Sequence, residues 1–253
     1  MRYVALGDSS TEGLDDLDGN GRYRGWADRL AEHLARAQGS VLYANLAIRG
    51  RRTRQVLDEQ LTPALAMRPD LCSAFVGTND VIQKGFDVGR VRADLHALWG
   101  ALRASGATVV SLTLPDVSEI IPFAKRLSPR IESYNEACRE LAQELGVTLI
   151  DLARHPMATD VRIWSSDRLH ANALGHTRIA AAIVHQLGIS GVRDPWDAPL
   201  PPRDPATVVS RVRAELLWAR DYLLPWVLRH ARGRSSGDGI SPKRPTLEPF
   251  TAR

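Results

Sequence analysis

The sequence predicts an α/β protein whose parallel sheet is covered by helices on both faces. Over the first 190 residues, short apolar runs alternate with longer segments of helical spacing. Each apolar run is followed by a connection long enough for a right-handed crossover. Five parallel strands in a flavodoxin-like order are the simplest topology with these features. Ligands of such sheets bind outside the carboxyl ends of the strands, so functional residues are expected there.

The expected strands are short and apolar, which is typical of strands buried on both faces. They are Tyr3 to Leu6, Val41 to Asn45, Leu71 to Val76, Thr108 to Leu112 and Thr148 to Asp151. Helical spacing predicts helices near residues 25–38, 53–67, 88–104, 130–145 and 172–188. Together these elements define a first domain, residues 1–190.

The sequence changes character after Gly188, where the alternation stops. Residues 191–206 are dense in proline and are expected to form an extended connector. The last stretch, residues 232–253, is rich in glycine, serine, proline and charge. Such a composition predicts a mobile basic tail, or one held only by surface contacts.

An amphipathic helix is expected between these two stretches, over residues 207–231, as a C-terminal helical extension. Asp204 and Pro205 suit its start, as N-cap and first helical residue. Apolar residues then recur at helical spacing, although Pro225 should kink or end the helix. This helix either packs back on the domain or makes a weak contact with an anionic membrane surface.

Composition and charge bound the function classes. The apolar fraction of 44% and the charged fraction of 25% are ordinary for a globular protein. No signal-like N-terminus and no membrane-spanning run are apparent, so a cytoplasmic location is expected. Ten of the Arg and Lys residues lie in 203–253 against five acidic ones, but aromatic residues do not interleave with them, so no nucleic-acid partner is expected. Cys72 and Cys138 are expected to be buried thiols.

Two motifs at strand ends could together supply a nucleophile and its base. Gly7-Asp8-Ser9 follows the first strand, and Asp167 and His170 follow the fifth. A serine hydroxyl becomes nucleophilic when a base takes its proton and a carboxylate fixes that base. Either motif alone also suits a turn or a helix cap, with Asp8 bonding nearby backbone N–H groups. Chemistry alone does not choose between Ser9 and its neighbour Ser10.

Two further strand ends carry donors of the kind that acyl transfer requires. The transition state of that reaction places negative charge on the former carbonyl oxygen. Asn79, in Gly-Thr-Asn-Asp after the third strand, offers a side-chain amide, and Gly50 after the second strand offers a backbone N–H with room for close approach. The N–H of Ser9 would be a third donor. Because all four fragments fall at carboxyl ends of strands, they indicate one site at this sheet edge.

In these four blocks the sequence resembles the SGNH/GDSL hydrolase family. Ser9, Gly50, Asn79 and His170 match the residues that define the blocks, and Asp167 matches the carboxylate of the family's triad. The resemblance covers about residues 1–188 and selects Ser9 over Ser10.

The resemblance implies a three-layer α/β/α sandwich and hydrolysis of a small-molecule acyl ester through an acyl-enzyme. It implies neither a metal nor an organic cofactor. An acyltransferase or a sugar O-deacetylase could use the same residues. A non-catalytic binding module on the same fold is the alternative from another functional class.

Three other stretches have both a structural and a functional interpretation. Residues 16–21 resemble the start of a calcium loop, yet the twelfth position is Ala27 rather than Glu, so a polar loop near the mouth of the site is the alternative. The arginines near Gly50 could make a positive rim or a solvated face. Ile120 to Ala124 are hypothesised to form an apolar lid over the acyl chain. The remaining histidines lack zinc-site spacing.

Overall fold

The computed structural model describes residues 1–189, 196–202, 208–225 and 236–252. Six strands form one sheet in the order β5-β4-β3-β1-β2-β6. The strands are β1 Arg2–Gly7, β2 Val41–Asn45, β3 Leu71–Phe75, β4 Thr108–Leu112, β5 Thr148–Ile150 and β6 Arg244–Phe250. The first five pair in parallel, which confirms the predicted fold class and its flavodoxin-like order.

Helices flank both faces of the sheet and complete three layers. Those of the described residues are α1 Ser9–Glu12, α2 Gly25–Gln38, α3 Thr53–Ala66, α4 Thr78–Ile82, α5 Val88–Ala104, α6 Ser128–Leu145, α7 Ala173–Gln186 and α8 Val208–Trp218. One layer pairs α2 with α7, and the other packs α3, α5 and α6 in series. Within the described part of the chain, no helix has both the length and the apolar character needed to cross a membrane.

Shorter helical turns occupy the connections on either side of β5. Five are 3₁₀ turns, at Val117–Glu119, Pro122–Leu127, Leu152–Arg154, Pro156–Thr159 and Val161–Ile163, and a π turn at Ala219–Leu223 follows α8. The 3₁₀ turns of residues 152–163 lead to the segment that carries Asp167 and His170. The five 3₁₀ turns follow β4 and β5, so they lie at the carboxyl edge of the sheet.

The hydrophobic core lies on both faces of the central strand β1. Its Tyr3, Val4, Ala5 and Leu6 are fully buried, as expected of a parallel strand covered on both sides. Trp26 of α2, Trp99 of α5 and Tyr134 of α6 are also fully buried and fill the space beneath the helices. Cys72 and Cys138 are buried and free, and burial raises the pKa of each thiol to about 12.

The sixth strand corrects the prediction for residues 232–253. Arg244–Phe250 is not a tail held by surface contacts but an antiparallel strand on β2. Without it, β2 would be a sheet edge with unpaired N–H and C=O groups. The segment RPTLEPF contains two prolines and no clear alternation, so it gives little strand signal. Phe250 packs edge-on against Tyr43 with ring centroids 5.5 Å apart.

The other C-terminal predictions fall partly on residues outside the described ranges. This applies to 190–195 and 203–206 of the predicted connector and its flanks, and to 207 and 226–231 of the predicted helix. Residues 196–202 lie against the domain, where Arg178 donates to the carbonyl of Ala198 at 2.6 Å and Trp196 contacts the ring of His155.

Lys243 fixes the start of β6 to the body of the protein. Its ammonium pairs with Asp28 of α2 at 2.7 Å and donates to the carbonyls of Tyr23 and Arg24. Tyr43 donates its hydroxyl to the same carboxylate at 2.8 Å. The side chains of Lys243 and Asp28 are only 17% and 11% exposed. Burial lowers the pKa of Lys243, and the charge of Asp28 opposes that shift.

Replacing Lys243 with methionine should destabilise the protein by at least about 2 kcal/mol, because it leaves a buried carboxylate without its cation. Urea unfolding of wild type and Lys243→Met measures the difference. Arg92→Met is the control, since Arg92 forms exposed ion pairs worth about 1 kcal/mol or less. Equal losses in the two variants would contradict this account.

Candidate active site

Ser9 stands at a tight turn between β1 and α1. Gly7 has a φ of +151°, and a Cβ there would lie 2.1 Å from the carbonyl oxygen of Phe75. The buried amide of Gln60 accepts from the N–H of Gly7 and donates to its carbonyl, both at 2.9 Å. Asp8 then caps α1 by accepting from the N–H of Ser10 at 3.1 Å, as expected from the sequence. The turn therefore requires glycine and places Ser9 at the first helical position.

A chain of short hydrogen bonds joins Ser9, His170 and Asp167. Ser9 Oγ lies 2.8 Å from Nε2 of His170, and Nδ1 of His170 lies 2.6 Å from Oδ2 of Asp167. With the ring proton on Nδ1 facing the carboxylate, Nε2 is the acceptor that faces the serine hydroxyl. Three residues from two distant parts of the sequence thus meet as their motifs suggested.

Asp167 is held by its own loop as well as by His170. Its Oδ1 accepts from the N–H groups of Leu169 and His170 at 2.8 and 2.9 Å. Burial raises the pKa of Asp167, but the hydrogen bonds and charge of His170 outweigh it and bring the pKa to about 2. The carboxylate is therefore charged over the whole physiological range.

His170 has a raised pKa for a related reason. Burial favours the neutral ring, yet the hydrogen bond and charge of Asp167, with the charges of Asp15 and Asp8, leave the pKa above its usual value. The imidazolium is thus stabilised where it would form.

Ser165 connects a second carboxylate, Asp15, to this chain. Its Oγ lies 2.6 Å from Oδ2 of Asp15 and 2.6 Å from Oδ1 of Asp167. A hydroxyl has one proton, so it can donate to only one of the two carboxylates at a time. Asp15 Oδ2 is also 3.9 Å from Nδ1 of His170. Among the described residues, Asp15, Asp167 and His170 could surround a cation, which would have to displace the proton on Nδ1.

The side-chain amide of Asn79 links the segment that carries Ser9 to the segment that carries Gly50. Its Nδ2 donates to Asp8, which precedes Ser9, at 3.2 Å and to the carbonyl of Arg51, which follows Gly50, at 3.0 Å. Gly50 adopts a φ of +76°, a left-handed conformation that favours glycine. In the described part of the chain, the backbone N–H groups of Ser9 and Gly50 have no protein acceptor. These donors therefore lie on the segments that the Asn79 amide joins.

Asp8 is the charged group buried deepest next to Ser9. Burial raises its pKa to about 7, although hydrogen bonds from Ser10 and Asn79 and the charge of His170 favour the carboxylate. It is 1% exposed. This side chain therefore caps the serine turn and orients the Asn79 amide at once.

Most of the arginines around Gly50 are paired with carboxylates. Three pair with carboxylates, Arg49 with the buried Glu12, Arg51 with Glu59 at 2.8 Å and Arg54 with Asp58 at 2.9 Å. Arg52 donates to the side chain of Gln83. Arg52 and Arg54 are exposed, as on a solvated face, whereas Arg49 and Arg51 are largely buried, and the Glu12 pair ties α1 to the turn before Gly50.

In the loop at residues 16–21, the first acidic residue, Asp16, makes its contacts within the protein. Asp16 is 2% exposed, pairs with Arg29 at 2.9 Å and accepts from the N–H of Gly25. Asp18 accepts from the N–H groups of Asn20 and Arg22. These contacts agree with the polar-loop alternative, because the carboxylates that a calcium loop would offer are turned to the protein.

The stretch proposed as a lid packs against other side chains. Ile120, Ile121 and Ala124 are buried in a small apolar cluster, with Trp164 and Trp218 against them. The side chain of Phe123 lies outside the described residues. Whether this stretch acts on an acyl chain stays a prediction.

Comparison with known families gives one match that covers most of the chain. Residues 5–178 match the GDSL-like Lipase/Acylhydrolase family. The chain belongs to this family. It is accordingly a hydrolase of the ester-cleaving class. Comparison with curated proteins gives no match.

Solved structures of esterases share the fold of this GDSL-like hydrolase. The lipase/acylhydrolase from Enterococcus faecalis is 25% identical, with a TM-score of 0.60, covering 74% of this chain and 94% of its own. The psychrotrophic esterase EstA from Pseudoalteromonas sp., inhibited by monoethylphosphonate, is 18% identical with a TM-score of 0.59, covering 74% and 96%. The acetylxylan esterase Axe2 from Geobacillus stearothermophilus is 18% identical with a TM-score of 0.62, covering 76% and 96%.

Several residues of the hydrolase site carry no motif of their own. Ser165 and Asp15 meet only because the chain folds, since they are 150 positions apart. Gln60 lies in the middle of α3, where a glutamine is ordinary on an exposed face, and its burial follows from the sheet. Trp218 lies in the helix expected over residues 207–231, and no motif marks it. The polar loop expected at the mouth of the site was the one available signal, and Asp15 immediately precedes it.

Replacing Asp15 with asparagine should lower the pKa of His170, because it removes a nearby negative charge that stabilises the imidazolium. An NMR titration of the His170 ring measures the change. Asp58→Asn serves as control, since Asp58 lies in an exposed pair with Arg54 on α3. If both variants titrate like wild type, Asp15 does not act on the charge of His170.

Proposed function

We propose that the chain is a serine-dependent carboxylic-ester hydrolase that works through an acyl-enzyme. Ser9 is the nucleophile, His170 is its general base, and Asp167 orients the base and stabilises its cation. The observation that carries the proposal is the chain of hydrogen bonds at 2.8 Å and 2.6 Å that joins the three side chains. This geometry is what nucleophilic catalysis by serine requires.

In the first half of the reaction, Nε2 of His170 takes the proton of Ser9 Oγ, and the oxygen attacks the ester carbonyl. The carbonyl oxygen becomes an oxyanion in a tetrahedral intermediate. His170, now an imidazolium held by the charged Asp167, gives its proton to the leaving alcohol as the C–O bond breaks. Ser9 is left as an acyl ester.

In the second half, water takes the place of the alcohol. His170 removes a proton from the water, whose oxygen attacks the acyl carbon and forms a second tetrahedral intermediate. Collapse of that intermediate returns the proton to Ser9 Oγ and releases the acid. No metal or organic cofactor takes part in these steps.

The oxyanion is bound by the N–H groups of Ser9 and Gly50 and by the Asn79 amide. The two backbone donors support this role because no protein acceptor occupies them among the described residues. The amide already donates to Asp8 and to the carbonyl of Arg51, so binding the oxyanion requires it to share or exchange one of these bonds. Preorganised donors of this kind are worth about 10²- to 10³-fold in kcat each.

The substrate is a small-molecule acyl ester. A sugar O-deacetylase is a second candidate, since acetylxylan esterases share the fold. An acyltransferase would use the same acyl-enzyme with another acceptor in place of water. A panel of 4-nitrophenyl esters of increasing chain length, with acetylated xylose, distinguishes the acyl groups, and added alcohol reveals transfer.

Wild-type protein should react with a fluorophosphonate probe, and Ser9→Ala should not, because the probe traps a serine activated by a neighbouring base. Phosphonate inhibition of EstA supports the choice of probe. Intact-mass spectrometry measures the adduct, and hydrolysis of 4-nitrophenyl acetate measures turnover. Ser10→Ala is the matched control and should be labelled like wild type. Equal labelling of Ser9→Ala would refute the proposal.

The value of kcat/KM should rise with pH through the pKa of His170, because only the neutral ring accepts the proton. The midpoint should lie above the usual histidine pKa, in the direction set by Asp167. Asp167→Asn should move the midpoint to lower pH and reduce kcat on the order of 10⁴-fold. Stopped-flow hydrolysis across pH 5 to about 9 measures both effects.

Asp8 also titrates near this range, so Asp8→Asn separates the two groups. A low-pH limb that persists in Asp8→Asn but moves in Asp167→Asn belongs to His170. A limb that is unmoved in Asp167→Asn would count against His170 as the base.

A further inference from the structure

The last residue of α8, Trp218, packs beside the loop that carries Asp167 and His170. Its ring contacts the apolar cluster of Ile120, Ile121 and Ala124, which is separate from the main core. The helix lies beyond residues 5–178, the part that matches the family. A segment outside the family match therefore reaches the candidate active site.

Trp218 also bonds directly to the backbone of the loop. Its indole Nε1–H donates to the carbonyl oxygen of Asp167 at 3.1 Å. The side chain of the same aspartate holds Nδ1 of His170 at 2.6 Å. Any shift of the indole therefore acts on the peptide plane that orients the carboxylate.

Arg168, the residue after Asp167, has a strained backbone conformation and a side chain with several partners. Its φ is +62°, a left-handed conformation that is uncommon for residues with a Cβ. The guanidinium lies 4.9 Å from the ring centroid of Trp218, pairs with Glu215 of α8 at 2.8 Å and donates to the carbonyl of Ile120 at 3.2 Å. The loop, the 117–124 segment and α8 thus meet at one side chain, which is 18% exposed.

We propose that Trp218 and Arg168 are positioning residues that hold the Asp167–His170 loop in register with Ser9. This inference rests on the function proposed above. His170 must keep contact with a serine on one side and a carboxylate on the other, and a loop with a left-handed residue at its centre relaxes unless partners restrain it. The indole and the guanidinium supply that restraint. Because misplacement of reacting groups by about 1 Å costs up to about 100-fold in rate, the restraint acts on kcat.

Three variants test the effect on turnover of 4-nitrophenyl acetate. Trp218→Ala removes both the N–H donor and the ring, and kcat should fall about tenfold or more with KM within about twofold. Trp218→Phe keeps a ring for Arg168 but loses the donor, so its kcat should lie between those of Trp218→Ala and wild type. Leu216→Ala, at a residue that is 68% exposed on the same helix, should keep the wild-type kcat. A wild-type kcat in Trp218→Ala would overturn the proposal.

A second measurement follows the loop without turnover. In a Ser9→Ala background, an NMR titration of His170 should give a lower pKa in Trp218→Ala than with Trp218 intact, because a displaced Asp167 stabilises the imidazolium less. Leu216→Ala should leave that titration unchanged. An unchanged His170 titration in a folded Trp218→Ala protein would overturn the positioning role. Failure of the proposed function has a different signature, since Ser9→Ala alone would then retain wild-type turnover.

Discussion

The tight turn at Gly7 is the constraint on which the site depends. The central strand must end and lead into α1 within two residues, and the carbonyl oxygen of Phe75 leaves no space for a Cβ at this point. Gln60 satisfies both backbone groups of Gly7 from α3, so the turn is held by the sheet and by one helix layer. Ser9 therefore projects from a turn that contacts on two sides hold in place, and the loop with His170 must be brought to it.

The two carboxylates of the site, Asp167 and Asp8, have different sets of hydrogen-bond donors. Asp167 receives donors from its loop and from His170, so its carboxylate is stable at neutral pH. Asp8 receives fewer, and burial prevails, so its pKa lies near 7. Asp8 is 1% exposed and accepts few hydrogen bonds, whereas the side chain of Asp167 is 20% exposed and accepts more, so burial and hydrogen bonding together give the two carboxylates different charge states. Only the first can sustain an imidazolium across physiological pH.

The sequence was sufficient for the five parallel strands and for the meeting of Ser9 with His170 and Asp167, because strand periodicity and strand-end motifs are local signals. The sequence did not predict β6. Its two prolines weaken the strand signal, and the strand forms by pairing with the open edge of β2. The sequence was equally insufficient for Asp15, Gln60 and Trp218. Their partners lie far away in sequence, and each contact follows from tertiary packing that no local pattern encodes.

The antiparallel pairing of β6 with β2 has a consequence for biosynthesis. Arg244–Phe250 leaves the ribosome about 200 residues after β2 does. Synthesis runs from the N-terminus, so β2 exists in the growing chain before its partner β6 does. The nascent protein therefore carries an open edge at β2 until β6 has been made, and β6 then shields that edge from pairing with neighbouring chains. A chain truncated before Arg244 would keep this edge of β2 exposed after it has folded.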